Sequence, residues 1–314
     1  MFNRMKKFLQ FQIIIQLLLF SHLALATDNM ALQTTNEWNS CLFSSFADAP
    51  TTLQSNQTET IKSIVNRGKL RVAMYSRDSW PFYFIDEDKE LKGIDVALIK
   101  GFGKLLGVEV EFDRTAKFLD DVAIKVRNHD ADVGISKLSL TFDRAMNVAV
   151  TEPYINLNQA LLINRLLLAK QVQNQDSEYA IKNLHGTLGV LKKSSYVGYS
   201  TYFKNMKLVE YDVWDNALKD VSDGKITAVF RDEAEIKIFL HKNPESALKL
   251  MSVEIQDAFD PKGAVVSLDN PQLKDLLNFY FSMLHLKLTP EKAISNYDLT
   301  VAEIENKINQ RLHK

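Results

Sequence analysis

A single cysteine, Cys41, in 314 residues excludes an internal disulfide, so each folded unit must be held by its apolar core. Beyond residue 26 no apolar run is long and clean enough to cross a bilayer, and Leu161 to Ala169 is broken by Asn164 and Arg165. The six histidines are dispersed, which suggests neither a metal cluster nor a Ser-His-Asp set. Basic excess is also lacking. Lys and Arg number 38 against 39 Asp and Glu, which gives no electrostatic case for nucleic acid or an anionic membrane surface. Gly101-Phe-Gly103 falls inside a helical pattern rather than after a strand, so it is no phosphate loop, and nothing else calls for a cofactor.

What is present begins with an export signal over residues 1–26. Arg4, Lys6 and Lys7 make a basic start, Ile13 to Ala26 is apolar, and Ala24-Leu25-Ala26 fits a small-x-small cleavage site. Cleavage after Ala26 leaves 288 of the 314 residues and moves the formal net charge from −1 to −4. Residues 27–59 are rich in Thr, Asn, Gln and Ser with little periodicity and read as a polar extension.

Regular structure is expected from Thr60. A helical face (Ile61, Ile64, Val65) leads to Gly68, and Lys69 to Tyr75 alternates as a strand. A helix over Ile94–Leu106, a strand over Val108–Phe112, a helix over Phe118–Asn128 and a strand over Ala131–Ile135 complete a first α/β cycle. A second cycle places strands at 160–163, 187–191, 208–211 and 226–230, with helices at 196–203 and 214–222. Gly263 to Leu268 reads as a strand, Asn270-Pro271 as a helix start, and Thr300 to Glu303 as a capping box opening a last helix.

The densest chemistry lies in residues 130–154. The 131–135 strand is expected to run into a polar loop with the hydroxyls of Ser136, Ser139 and Thr141, and Arg144 follows within one turn. A guanidinium is a planar fork of donors that matches a carboxylate, and backbone amides at a helix start favour an anion. An N-capped helix with a solvated arginine is the bland alternative for such a loop.

Five motifs in order resemble those of the family 3 bacterial extracellular solute-binding proteins, the periplasmic receptors for amino acids and similar solutes. They are Gly68-Lys-Leu-Arg-Val-Ala, Trp80-Pro-Phe-Tyr-Phe, Lys92-Gly-Ile-Asp-Val-Ala-Leu, the Asp130 to Tyr154 segment, and Gly224-Lys-Ile-Thr-Ala-Val-Phe-Arg-Asp. The likeness covers about residues 60 to 300. It implies the two-lobed type II periplasmic-binding-protein fold, each lobe a mixed sheet flanked by helices, joined by hinge strands near 155–163 and 262–268. Lobe 1 would span 60–155, lobe 2 156–262, and 263–314 would return to lobe 1 and end in helices.

The same resemblance puts Arg144, helped by Ser139, on a ligand carboxylate and Asp232 on a ligand ammonium, with Trp80, Phe82 and Phe118 as candidate walls. An aspartate directly after a strand is otherwise more often a helix cap. It implies a monomeric periplasmic receptor, not an enzyme, that closes around an amino acid or other small carboxylate and delivers it to an inner-membrane ABC permease. Departures from the family pattern are Lys137 for Gly, Lys192-Lys193-Ser194 for a Gly-Thr or Gly-Ser turn, Arg231 for a small or apolar residue, and Thr227 for Asp. Facing the cleft, Lys137, Lys193 and Arg231 would select an acidic ligand; at its rim they would be solvated. The alternatives are a sensor, a binding-dead variant kept for protein contacts, or a prephenate or arogenate dehydratase with Asp232, Glu233 or Asp78 as its acid.

Overall fold

Left-handed glycines stop the first two helices where the sequence places breaks. Thr58 caps α1 (Glu59–Arg67) by accepting the Ile61 N–H, and Gly68 ends it at φ 68°. After β1 (Lys69–Tyr75) and the hairpin of β2 (Phe84–Ile85) and β3 (Leu91–Lys92), α2 (Ile94–Leu106) ends at Gly107 with φ 70°. The computed structural model describes residues 58–172 and 177–312. The export signal, Cys41 and nearly all of the 27–59 extension lie outside the described residues.

The chain continues through β4 (Glu109–Ala116), α3 (Leu119–Arg127), β5 (Val133–Ser139), α4 (Phe142–Ala145), β6 (Ala149–Val150) and β7 (Ile155–Asn164). Then follow α5 (Arg165–Val172), α6 (Ser177–Lys182), β8 (Gly186–Leu191), α7 (Ser195–Tyr199), β9 (Met206–Tyr211), α8 (Trp214–Ser222), β10 (Ala228–Asp232) and α9 (Glu233–Lys242). The long β11 (Leu250–Val266) precedes α10 (Pro271–Leu284), α11 (Pro290–Ser295) and α12 (Tyr297–Leu312).

Strand order is β4-β1-β5-β11-β7-β10-β8-β9. β4, β1 and β5 are parallel and make the sheet of lobe 1; β9, β8 and β10 are parallel and make that of lobe 2. β11 and β7, paired antiparallel with each other, join the two, β11 bonding to β5 and β7 to β10. Both faces of the sheet are covered, even at β7, which is antiparallel to both of its neighbours. Leu161 and Ile163 pack with Leu188, Val190, Tyr196 and Phe230, while Ala160 and Leu162 pack with Ala217, Leu218, Val221 and Ile236.

Gly101 is required by packing. A Cβ there would run into Ile308 and the Tyr280 hydroxyl, so α2 can approach α10 and α12 only without a side chain.

Four sequence expectations are corrected. The strand expected to end at Ile135 runs on to Ser139, because β11 pairs with Leu138 and Ser139 and turns the expected loop into ladder. The strand expected at 263–268 begins at Leu250; Met251, Val253 and Ile255 alternate onto the lobe 2 core despite Pro261. The expected helix at 196–203 is the short α7 followed by a 3₁₀ turn over Ser200–Tyr202. Thr300 opens no helix: α12 starts at Tyr297, and the buried Thr300 hydroxyl donates to the Lys292 carbonyl. Asn270 does precede α10, but its side chain accepts from Thr60 instead of capping.

Candidate functional site

The carboxyl ends of β5 and β10 face each other across the junction of the lobes, the place where open α/β sheets expose their functional groups. Register along β5 and β11 breaks between Gly263 and Val265, and Lys137 stands in that irregularity at φ 49°. A left-handed backbone costs a residue with a Cβ roughly 1–2 kcal/mol. Asp95, from the first turn of α2, pins it: Oδ2 accepts the Lys137 N–H at 2.6 Å and Oδ1 accepts the Tyr154 hydroxyl at 2.7 Å.

That backbone turn sends the Lys137 side chain across the cleft. Its Nζ lies 3.1 Å from Asp232 Oδ1 and 2.6 Å from Glu235 Oε1, with the Phe82 ring centroid 4.9 Å away. Asp232 ends β10 and caps α9 by accepting the Glu235 N–H, so the two carboxylates share the first turn of one helix. Ser79 of lobe 1 also donates to Glu235. Arg231 lies over the Trp214 ring at 4.9 Å and 3.7 Å from Glu235.

A second buried lysine comes from β11. Lys262 pairs with Asp260, lies 3.7 Å from Asp232 and donates to Ser139 Oγ at 3.1 Å. Asp260 also accepts the Tyr196 hydroxyl at 2.6 Å. Lys137, Arg231 and Lys262 thus meet Asp232, Glu235 and Asp260, and the cleft carries no net cation. Burial alone would raise the Asp232 carboxyl, but Lys137, then Lys262 and Arg231, pull it well below its ordinary range. Glu235 is likewise lowered against burial by Lys137 and Arg231.

Arg144 is buried in lobe 1. Its guanidinium donates to the Ser139 carbonyl and, at 2.6 Å, to Asp120, whose side chain is 45 % exposed. Beside it opens a recess of about 670 Å³ lined from lobe 1 by Asp120, Thr141 and Arg144 and from lobe 2 by Ser194, Ser195 and Tyr199. A second recess, of about 370 Å³, lies between Trp80, Tyr75 and Arg77 on one side and Trp214, Arg231 and Glu235 on the other. Between them the centre of the cleft holds only about 10 Å³, enclosed by Ser139, Lys137, Ser195, Tyr196, Asp232 and Lys262.

The sequence-nominated residues fall in three groups. Lys137, Ser139, Asp232, Arg231 and Phe82 are buried together at the centre, so the rim placement weighed for Lys137 and Arg231 is overturned. Paired charge also removes the reason for Lys137 and Arg231 to select an acidic ligand. Arg144 and Ser194 border the larger recess, where the Ser194 hydroxyl turns back to the Leu191 carbonyl and it is Ser195 that reaches Ser139, at 2.8 Å. Trp80 borders the smaller recess and Phe118 lies under the half-exposed Lys193 at 4.8 Å.

Lys193 has φ 50°, so both lysines that replace the family's glycines keep a glycine-like backbone. Sequence reasoning missed Lys262, Glu235, Asp260, Ser195 and Asp120. The i, i+3 spacing of Asp232 and Glu235 and the alternation of Met251, Val253 and Ile255 were the available signals.

A general acid needs a carboxyl held near the working pH, and the cleft carboxylates Asp232 and Glu235 are shifted the other way. Glu233 is tied to the Asn158 N–H and Lys237, and Asp78 to Arg114. The dehydratase alternative finds no acid among them.

Asp95 is raised from 3.8 to about 7, chiefly by burial and against the Tyr154 hydroxyl and the Lys137 N–H. Its folded form therefore holds a proton that the unfolded chain releases near pH 4. Stability from this group is present at low pH and falls as pH rises towards 7, by on the order of 4 kcal/mol in full. Asp95→Asn is expected to flatten the fall in urea midpoint between pH 5 and pH 8; an unchanged slope would remove Asp95 as its source.

A profile of the bacterial extracellular solute-binding proteins, family 3, matches residues 70–294. The ABC transporter arginine-binding protein 1 of Escherichia coli strain K12 is 28% identical over 206 residues, 63% of this chain and 78% of that protein. The histidine-binding periplasmic protein of the same strain is 25% identical over 225 residues, 69% of this chain and 83% of that protein. Both are named as binding proteins, not enzymes. Among solved structures, the ancestral amino-acid-binding protein AncCDT-1, a precursor of cyclohexadienyl dehydratase, superposes with a TM-score of 0.61 at 21% identity, covering 80% of this chain and 99% of that one.

Proposed function

We propose, since this chain belongs to the bacterial extracellular solute-binding proteins, family 3, that it is an exported monomeric receptor for a small carboxylate-bearing solute. The signal over residues 1–26 would deliver it to the periplasm, where an inner-membrane ABC permease takes the solute from it. The observation that carries this reading is the buried Arg144 guanidinium in the wall of an approximately 670 Å³ recess to which both lobes contribute. A void of that size suits a metabolite-sized ligand. Asp120, half exposed, is the group a ligand carboxylate would displace from Arg144, taking over its charge-assisted hydrogen bond from Nη2. β7 and β11 would act as the hinge, and a solute touching both lobes favours the closed state.

An α-amino acid is the second reading, favoured by relatives named for arginine and histidine. It requires a place for an ammonium beside Asp232, which Lys137 already fills.

Arg144→Ala is expected to keep the fold and abolish ligand-dependent stabilisation. In a thermal-shift screen of amino acids and dicarboxylates, a ligand at 100 times its Kd should stabilise the wild type by about 2.7 kcal/mol. An equal shift in the variant would refute the carboxylate anchor.

A further inference from the structure

Lys137 carries on its own side chain the group that Asp232 would otherwise receive from a ligand. Its ammonium is buried, held by two carboxylates of lobe 2 and set against the face of Phe82. We propose that Lys137 determines the ligand class by serving as a built-in ammonium, so that the cleft refuses α-amino acids and takes carboxylates without an α-ammonium. The inference rests on the reading of Arg144 as the carboxylate anchor.

Two observations support it. An entering zwitterion would need space near Asp232, and the cleft centre holds about 10 Å³. It would also need an unpaired acid, and the three acids there are answered by Lys137, Arg231 and Lys262. Bringing a further ammonium beside Lys137 leaves one of two buried cations without a partner. A carboxylate lacking the ammonium meets neither obstacle, because Arg144 faces the separate, larger recess.

The backbone makes the inference testable by one substitution. Lys137 sits at φ 49°, a conformation glycine adopts without a Cβ penalty, and the Lys137 N–H to Asp95 survives the change. Lys137→Gly should keep the β5 irregularity while opening the centre of the cleft between the two recesses. Lys137→Gly/Glu235→Gln removes one charge of each sign, so the remaining pairs stay balanced and the fold is safeguarded.

Titration calorimetry of the purified wild type and both variants, with glycine, L-arginine, L-histidine and succinate as probes, tests it. The wild type is expected to give no saturable heat with the three amino acids. At least one variant should bind one of them at least 100-fold more tightly. Wild-type binding of an amino acid that neither variant improves would overturn the inference. So would the failure of both variants to bind any of them when at least one is folded by circular dichroism. Adding Arg144→Ala separates the two proposals: gained binding that survives it upholds the role of Lys137 and refutes Arg144 as anchor, whereas gained binding that disappears upholds both.

Discussion

Lys137→Met is expected to lower the free energy of unfolding by about 3–5 kcal/mol, the range for removing one partner of a buried ion pair. The loss follows from what remains. Methionine fills a similar volume, so packing changes little. Glu235, 13 % exposed, is left with the Ser79 hydroxyl and an Arg231 guanidinium 3.7 Å away, and Asp232 keeps only Lys262, 3.7 Å away, and Arg231 among its cations. The variant also keeps the left-handed backbone at φ 49° and gains nothing there. Glu235→Gln in the same background should recover roughly 1–3 kcal/mol, because the partners are coupled. Urea unfolding of the two singles and the double measures this; additive losses would show that Lys137 and Glu235 act independently.

Lys262→Met is expected to cost a comparable 3–5 kcal/mol by the same mechanism at a different acid. Asp260 is fully buried, and its Oδ1 has no hydrogen-bond partner among the described residues. Removing Lys262 leaves it with the Tyr196 hydroxyl and withdraws one of the two donors to Ser139 Oγ, the other being the Ser195 hydroxyl. Asp260→Asn added to Lys262→Met should restore part of the stability, since the uncompensated charge disappears. A Lys262→Met protein as stable as wild type would mean that the pair offsets its own desolvation and contributes little.

The architecture was legible because its signals are local. Gly68 and Gly107 stop helices, Ile61 and Ile64 share a face, and β7 presents apolar residues to both of its faces. The long strand β11 was half legible: its C-terminal end stands out, whereas Pro261 disguises the middle. The positions of the site were readable from motif order, and Arg144, Ser139 and Asp232 lie at the carboxyl ends of facing strands or just beyond.

Their occupancy was not legible. Lysine is among the residues least often fully buried, so Lys137 and Lys262 carry no local mark of burial. What buries them is pairing between residues far apart in sequence, 95 positions for Lys137 and Asp232 and 123 for Lys262 and Ser139. Positive φ at Lys137 and Lys193 explains why glycine suits both positions, and only the fold shows that one lysine fills the cleft while the other stays half exposed.

Small-angle X-ray scattering of the ligand-free protein beside Lys137→Met tests most directly whether the bridge from Lys137 of lobe 1 to Asp232 and Glu235 of lobe 2 occupies the ligand's place between the lobes. The wild type is expected to be closed without solute and the variant to show a larger radius of gyration. An open wild type that scatters like the variant would contradict it.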